Sequence, residues 1–247
     1  ALIIASNFSW TFAYKLMALI TGLNIIITMI ISTENKNLTL KKLNHIDTMI
    51  EPLKDFFERF GLKMAAILLL IIASYRLTDI VMGPMANPFY IDMGYTLSEI
   101  GYIVKVVALI STIVGVFVGG ILIKKYGLYK SLLIGAFLVM ITNLLFSYTA
   151  ITDKNLTLLA SIVASDSLAA GIVGTVNITF LTSLVSQKYT GFQYALLTSV
   201  MTFTGTIFKG FSGVIVESFQ SLYGFNYGWM SFYLSLIHIS EPTRRYR

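Results

Sequence analysis

Arg76 and Asp79 stand three residues apart inside the apolar run Leu62–Val81, LKMAAILLLIIASYRLTDIV. That spacing puts both side chains on one face of a helix. The run is about long enough to cross a bilayer, and its first helix breaker is the following Gly83-Pro84. A charge held at such depth costs roughly 2.5–3.5 kcal/mol on insertion scales. Two chemistries account for keeping it. A cation binds an anionic substrate group, and a carboxylate takes up and releases a proton. The same pair also serves as a structural lock between two helices.

Lys105, Asp166 and Lys209 are further ionisable residues inside apolar segments. Arg76 lies eight residues before Pro84, Lys105 eight after Leu97, and Lys209 eight before Glu217. At 1.5 Å per residue each sits about 12 Å from the same membrane face. Asp166, ten residues into its span, sits about 15 Å down. Three cations from three helices are expected in one layer with Asp79 and Asp166. Lysines near helix ends also snorkel to the surface, which is the competing reading for Lys105 and Lys209. Asn143, Asn177 and Gln193 are lone amides that suit interhelical hydrogen bonds. Gln193, near the start of its span, is also counted as a substrate contact.

Composition decides what these residues sit in. The chain has 247 residues, 56% hydrophobic and 12% charged, with a mean hydropathy of +0.77. That is a multi-pass membrane protein. Cysteine is absent, and His45 and His238 are the only histidines. Disulfides, thiolate metal sites and histidine triads are excluded, and neither a metal nor a cofactor is expected. Nor do GxSxG, HExxH or a paired-acid site appear at one membrane face, so an enzyme is not expected. The net charge of +6 reads as membrane topology and lipid contact, not nucleic-acid binding.

Seven apolar spans follow in order: Leu2–Ile31, Leu62 to about Met85, Leu97–Ile123, Leu128–Tyr148, Leu156–Val185, Thr190–Val216, and one starting near Asn226. Ser32–Gly61 is a charge-rich loop. Within it Leu40, Leu43, Ile46, Ile50, Leu53, Phe57 and Phe60 recur at helical spacing. This predicts an amphipathic helix on the membrane surface, interrupted near Pro52. Lys and Arg number six from Thr33 to Lys63, fall to none from Met85 to Glu99, and return as Lys124, Lys125 and Lys130. The alternation places the first, third and fifth loops in the cytoplasm. Gly115 with Gly119, Gly171 with Gly174, and Gly205, Gly210 and Gly213 suit close helix approach.

The last span should stay apolar for about 20 residues but becomes LSLIHISEPTRRYR from Leu234. Leu234–Arg244 matches the forward translation of a common transposase sequencing adapter at all eleven positions. Residues 234–247 are therefore read as adapter translation and kept out of the fold. The first residue is Ala1, not Met, so the natural N-terminus is expected upstream.

Three stretches carry a resemblance. They are Tyr75-Arg76-Leu77-Thr78-Asp79, the segment Gly83–Gly94 (GPMANPFYIDMG), and Tyr189–Leu197 (YTGFQYALL); Glu99-Ile100 with Lys105 also fits. The chain resembles the AmpG-type muropeptide permeases of the major facilitator superfamily, from Trp10 to about Phe232. The turn Gly120–Gly127 (GILIKKYG) is similar to the superfamily's basic GxxxDRxG loop, with Lys124 where the acid is expected.

The resemblance implies an all-α integral membrane protein. Residues 1–31 would be helix six, 32–61 the central cytoplasmic loop, and 62–233 helices seven to eleven with the start of twelve of a twelve-helix fold. It implies a transporter of the bacterial inner membrane that imports anhydromuropeptides with protons, monomeric at full length. Arg76, Lys105, Gln193 and Lys209 would bind substrate; Asp79 and Asp166 would couple protons. Five helices of the first half would be missing, and the fragment alone would be inactive. Another superfamily symporter, for acetyl-CoA or a sugar, is the same-class rival. A membrane-embedded glycan transferase is the rival from another class.

Overall fold

The computed structural model describes residues 9–31 and 45–240. The charge-rich stretch 32–44, with Leu40 and Leu43 of the amphipathic pattern, and Glu241–Arg247 of the tail lie outside the described residues. The described residues are helical, with no strand among them. Six helices are long and apolar enough to cross a membrane. The chain divides into one unit ending at Ile46 and one starting at Asp47.

The first unit contributes α1 (Trp10–Ile31), a 22-residue apolar helix. The second begins within α2 (His45–Tyr75) and continues with α3 (Leu77–Asp92) and α4 (Leu97–Tyr102). A π-helical turn (Ile103–Val107) leads into α5 (Ala108–Tyr126). Then come α6 (Leu128–Thr149), α7 (Leu156–Leu184), α8 (Thr190–Tyr223) and α9 (Phe225–Ser240).

Local chemistry sets the ends. Thr96 accepts the Glu99 N–H while the Glu99 carboxylate accepts the Thr96 N–H, a capping box that starts α4. Asn155 Oδ1 accepts the Thr157 and Leu158 N–H groups to start α7.

Two expectations are corrected. The amphipathic helix runs through Pro52 without interruption; its break is at Gly61, with φ 69° and ψ 155°. A side chain rarely adopts that backbone. The second span, expected to end at about Met85, continues to Asp92, with Pro84 and Pro88 inside the helix. The turn falls at Gly94.

Two apolar clusters hold the second unit. Phe89, Phe146, Trp229, Phe232 and Tyr233 bring α3, α6 and α9 together, all at most 2% exposed. Ring centroids lie 5.1 Å apart for Phe89–Tyr233 and for Phe146–Tyr233, and 5.3 Å for Phe89–Trp229. These rings pack in the core. The helix continues past Tyr233, and Leu236 joins the same cluster. The second cluster gathers Phe56, Ala65 and Ile72 of α2 with Phe180, Leu181 and Leu184 of α7 and Leu197 of α8. Between helices in lipid, such close packing replaces the hydrophobic drive that water supplies elsewhere.

The glycines show where helices touch. A Cβ on Gly115 would strike the Leu168 carbonyl, and one on Gly171 the Thr112 carbonyl. The α5–α7 seam therefore needs both. Gly205 lies against the Ile80 side chain. Gly174, Gly210 and Gly213 have open space beside them and make no close approach.

Candidate functional site

The membrane span that begins after Gly61 is not one helix. It breaks at Arg76, where φ is −106° and ψ 9°, and restarts as α3. Ser74 Oγ donates back to the Leu70 carbonyl at 2.9 Å and the Ile71 carbonyl at 3.3 Å, a pattern that bends helices. Beyond the break, Pro84 and Pro88 offer no N–H to the ladder. The span is thus discontinuous at Arg76, the cation deep in its interior. Asp79 falls in the first turn of α3, where the helix dipole favours a negative group.

Arg76 Nε lies 3.6 Å from Asp79 Oδ2, an ion pair with no hydrogen bond closing it. Both side chains are partly open, at 32% and 23% exposure. They open onto a cleft of about 230 Å³ whose other lining residues are Met82, Gly83, Ala86, Val139, Asp166 and Ala170. Asp166 comes from α7, so the cleft joins groups 87 positions apart in the chain. One guanidinium and two carboxylates facing a small cleft with apolar walls can hold an anionic group. They can also exchange a proton without a metal. Among the described residues no cluster of three or more His, Cys, Asp or Glu could hold a metal ion.

The other expected site residues lie elsewhere. Lys105 sits in the π-helical turn and is exposed. Such turns break the α ladder by one residue, a feature common at functional positions. Lys209 is exposed on α8. Neither lines the Arg76 cleft, and neither has an ion-pair partner among the described residues. The cleft therefore holds one cation with two acids, and the two exposed lysines lie outside it.

Gln193 is placed differently from the expectation that it contacts substrate. It is 1% exposed, and its amide is fully engaged. Its Nε2 donates to the Pro52 carbonyl at 2.8 Å and to Asp55 Oδ2 at 2.9 Å. Its Oε1 accepts from Arg59 at 3.0 Å and from the Ser186 N–H at 2.6 Å. Asn177 reaches only the Met201 sulfur, at 3.4 Å. Asn143 is 1% exposed with neither end of its amide bonded.

The sequence reading did not name the cleft walls, although their spacing carried the signal. Asp79, Gly83 and Ala86 recur at i, i+4 and i+7, and Asp166 and Ala170 at i and i+4. Small residues one turn from a buried acid leave room beside it.

Comparison with known proteins adds a family. The Major Facilitator Superfamily profile matches residues 1–209. A Rickettsia conorii protein carrying the name transporter AmpG 4 is 31% identical over 242 residues, covering 95% of this chain and 55% of the relative. The anhydromuropeptide permease of Escherichia coli K12 is 29% identical over 235 residues, covering 94% of this chain and 45% of the relative. An AmpG 1 transporter of Rickettsia bellii is 27% identical over 235 residues, covering 93% of this chain and 55% of the relative. The chain spans about half the length of the curated relatives it matches.

Proposed function

This chain belongs to the major facilitator superfamily, and on that premise we propose that it is the C-terminal part of a proton-coupled importer of anhydromuropeptides. It is a multi-pass protein of the bacterial inner membrane and a transporter, not an enzyme. Two relatives of this length match are named for the AmpG transporter and one for anhydromuropeptide permeation. Muropeptides carry peptide carboxylates, and Arg76 is the cation placed to meet one.

The observation that carries this reading is the shared cleft of Arg76, Asp79 and Asp166. In the proposed cycle a substrate carboxylate competes with Asp79 for Arg76. The displaced acid then takes a proton, so that substrate and proton occupy the cleft together. Asp166, on the neighbouring helix, is the second acid and shares the coupling. Lys105 and Lys209 lie outside this cleft, and we keep them as further proposed substrate contacts because both are exposed. The site lies between halves in this fold class, so the chain alone is proposed to be inactive. Residues 234–247 are proposed to be adapter translation.

The test is uptake of labelled anhydromuropeptide by the full-length protein in cells lacking their own permease. Uptake should collapse when a protonophore dissipates the proton gradient. Asp166→Asn at normal membrane abundance should abolish accumulation while substrate exchange across the membrane persists. Uptake indifferent to the protonophore would remove proton coupling from the account.

A further inference from the structure

The first half of α2, before Gly61, packs on the C-terminal end of α7 and the start of α8, the ends expected to face the cytoplasm. Phe56 is 2% exposed and sits among Phe180, Leu181 and Leu184 of α7 and Leu197 of α8. Arg59 donates to the Leu184 carbonyl at 3.1 Å, one of the carbonyls that a helix end leaves without a partner. The same guanidinium reaches Gln193 Oε1 at 3.0 Å and Asp55 at 3.0 Å. Tyr189, just before α8, donates to Glu51 at 2.8 Å. Gln193 binds the Pro52 carbonyl, Asp55, Arg59 and the Ser186 N–H at once.

We propose that this loop helix is a permanent clip that joins the inner ends of α7 and α8, with Gln193 as its central bond. Each anchor lies in one half of the transporter, so rocking of one half against the other gives them no reason to part. Breaking the clip would strand a buried amide with four bonds and uncover Phe56, both unfavourable. A free amphipathic helix on the membrane surface would spend its apolar face on lipid; this one spends it on α7 and α8. Gly61, whose backbone geometry suits glycine, turns the chain from the clip into the membrane span. Arg76 lies fifteen residues beyond Gly61, about 22 Å along a helix. Gln193 therefore acts on transport through the α7–α8 ends and not by touching substrate.

The chain contains no cysteine, which suits site-directed labelling. In a cysteine-free full-length protein in liposomes, spin labels at Lys54→Cys and Gln187→Cys report the distance across the clip. The proposal expects one narrow distance peak, unchanged by an imposed proton gradient. Gln193→Leu should broaden that peak. Arg59→Ala, which leaves the Gln193 amide in place, should do the same and serves if the leucine variant fails to reach the membrane. Two distances in the parent protein, or a narrow peak in a variant, would overturn the clip. The kinetic arm alone rests on the transport reading. There Gln193→Leu should lower the maximal uptake rate severalfold at unchanged KM, and a raised KM would instead put Gln193 on the substrate and overturn the proposal. A parent protein without uptake would remove the transport reading, and the distances would still decide the clip.

Discussion

At the scale of single residues the central question is whether Arg76 and Asp79 are a site or a lock. The facing atoms of the 3.6 Å ion pair are buried, while both side chains stay partly exposed elsewhere along their length. Removing one member of a fully buried pair costs about 3–5 kcal/mol. The exposure here lowers that to about 1–3 kcal/mol. Arg76→Ala should therefore reduce membrane abundance modestly, and adding Asp79→Asn should restore it. A lock predicts that uptake returns with abundance in the double variant; a site predicts that it stays lost. The pair itself was legible in the sequence because two charges in an apolar run have few places to go. The break in the helix at Arg76 was not, since Tyr75-Arg76-Leu77 contains neither glycine nor proline. The role expected for Gln193 was misplaced for a related reason: its partners Pro52, Asp55 and Arg59 lie some 134 to 141 positions away, beyond any local pattern.

At the scale of elements, helix starts and close contacts were the legible part. The third span was expected from Leu97, and α4 starts there, set by the Thr96 capping box. The small residues Gly115, Gly119 and Gly171 do mark the α5–α7 seam, while Gly174 in the same stretch faces open space. The two glycines thus make a controlled comparison. Gly171→Ala should strike the Thr112 carbonyl and the Gly115 backbone and cost about 1–3 kcal/mol. Gly174→Ala should stay within about 0.5 kcal/mol. Thermal unfolding of the purified protein in detergent reads both, and equal loss from the two would refute the packing assignment. Which glycines face a neighbour depends on helix rotation, and spans apolar on every side give no stripe to fix it. The aromatic core of Phe89, Phe146, Trp229 and Tyr233 escaped for the same reason. Aromatics at a span end suit the membrane interface and a buried core alike.

At the scale of the whole molecule, composition settled membrane class and the motifs settled family. The 209-residue profile match and the AmpG relatives agree with both. The chain covers about half of each relative. Resequencing the source DNA across the codons for Tyr233-Leu234 should show a junction where genomic sequence ends, and a clean genomic read into the codons for LSLIHISEPTR would contradict the adapter assignment. Uptake of labelled anhydromuropeptide by the full-length protein tests the central claim most directly, comparing wild type with Arg76→Ala and Asp79→Asn at matched membrane abundance. The account predicts uptake in wild type and its loss in both variants. Equal uptake by all three would contradict a substrate site at the Arg76–Asp79–Asp166 cleft.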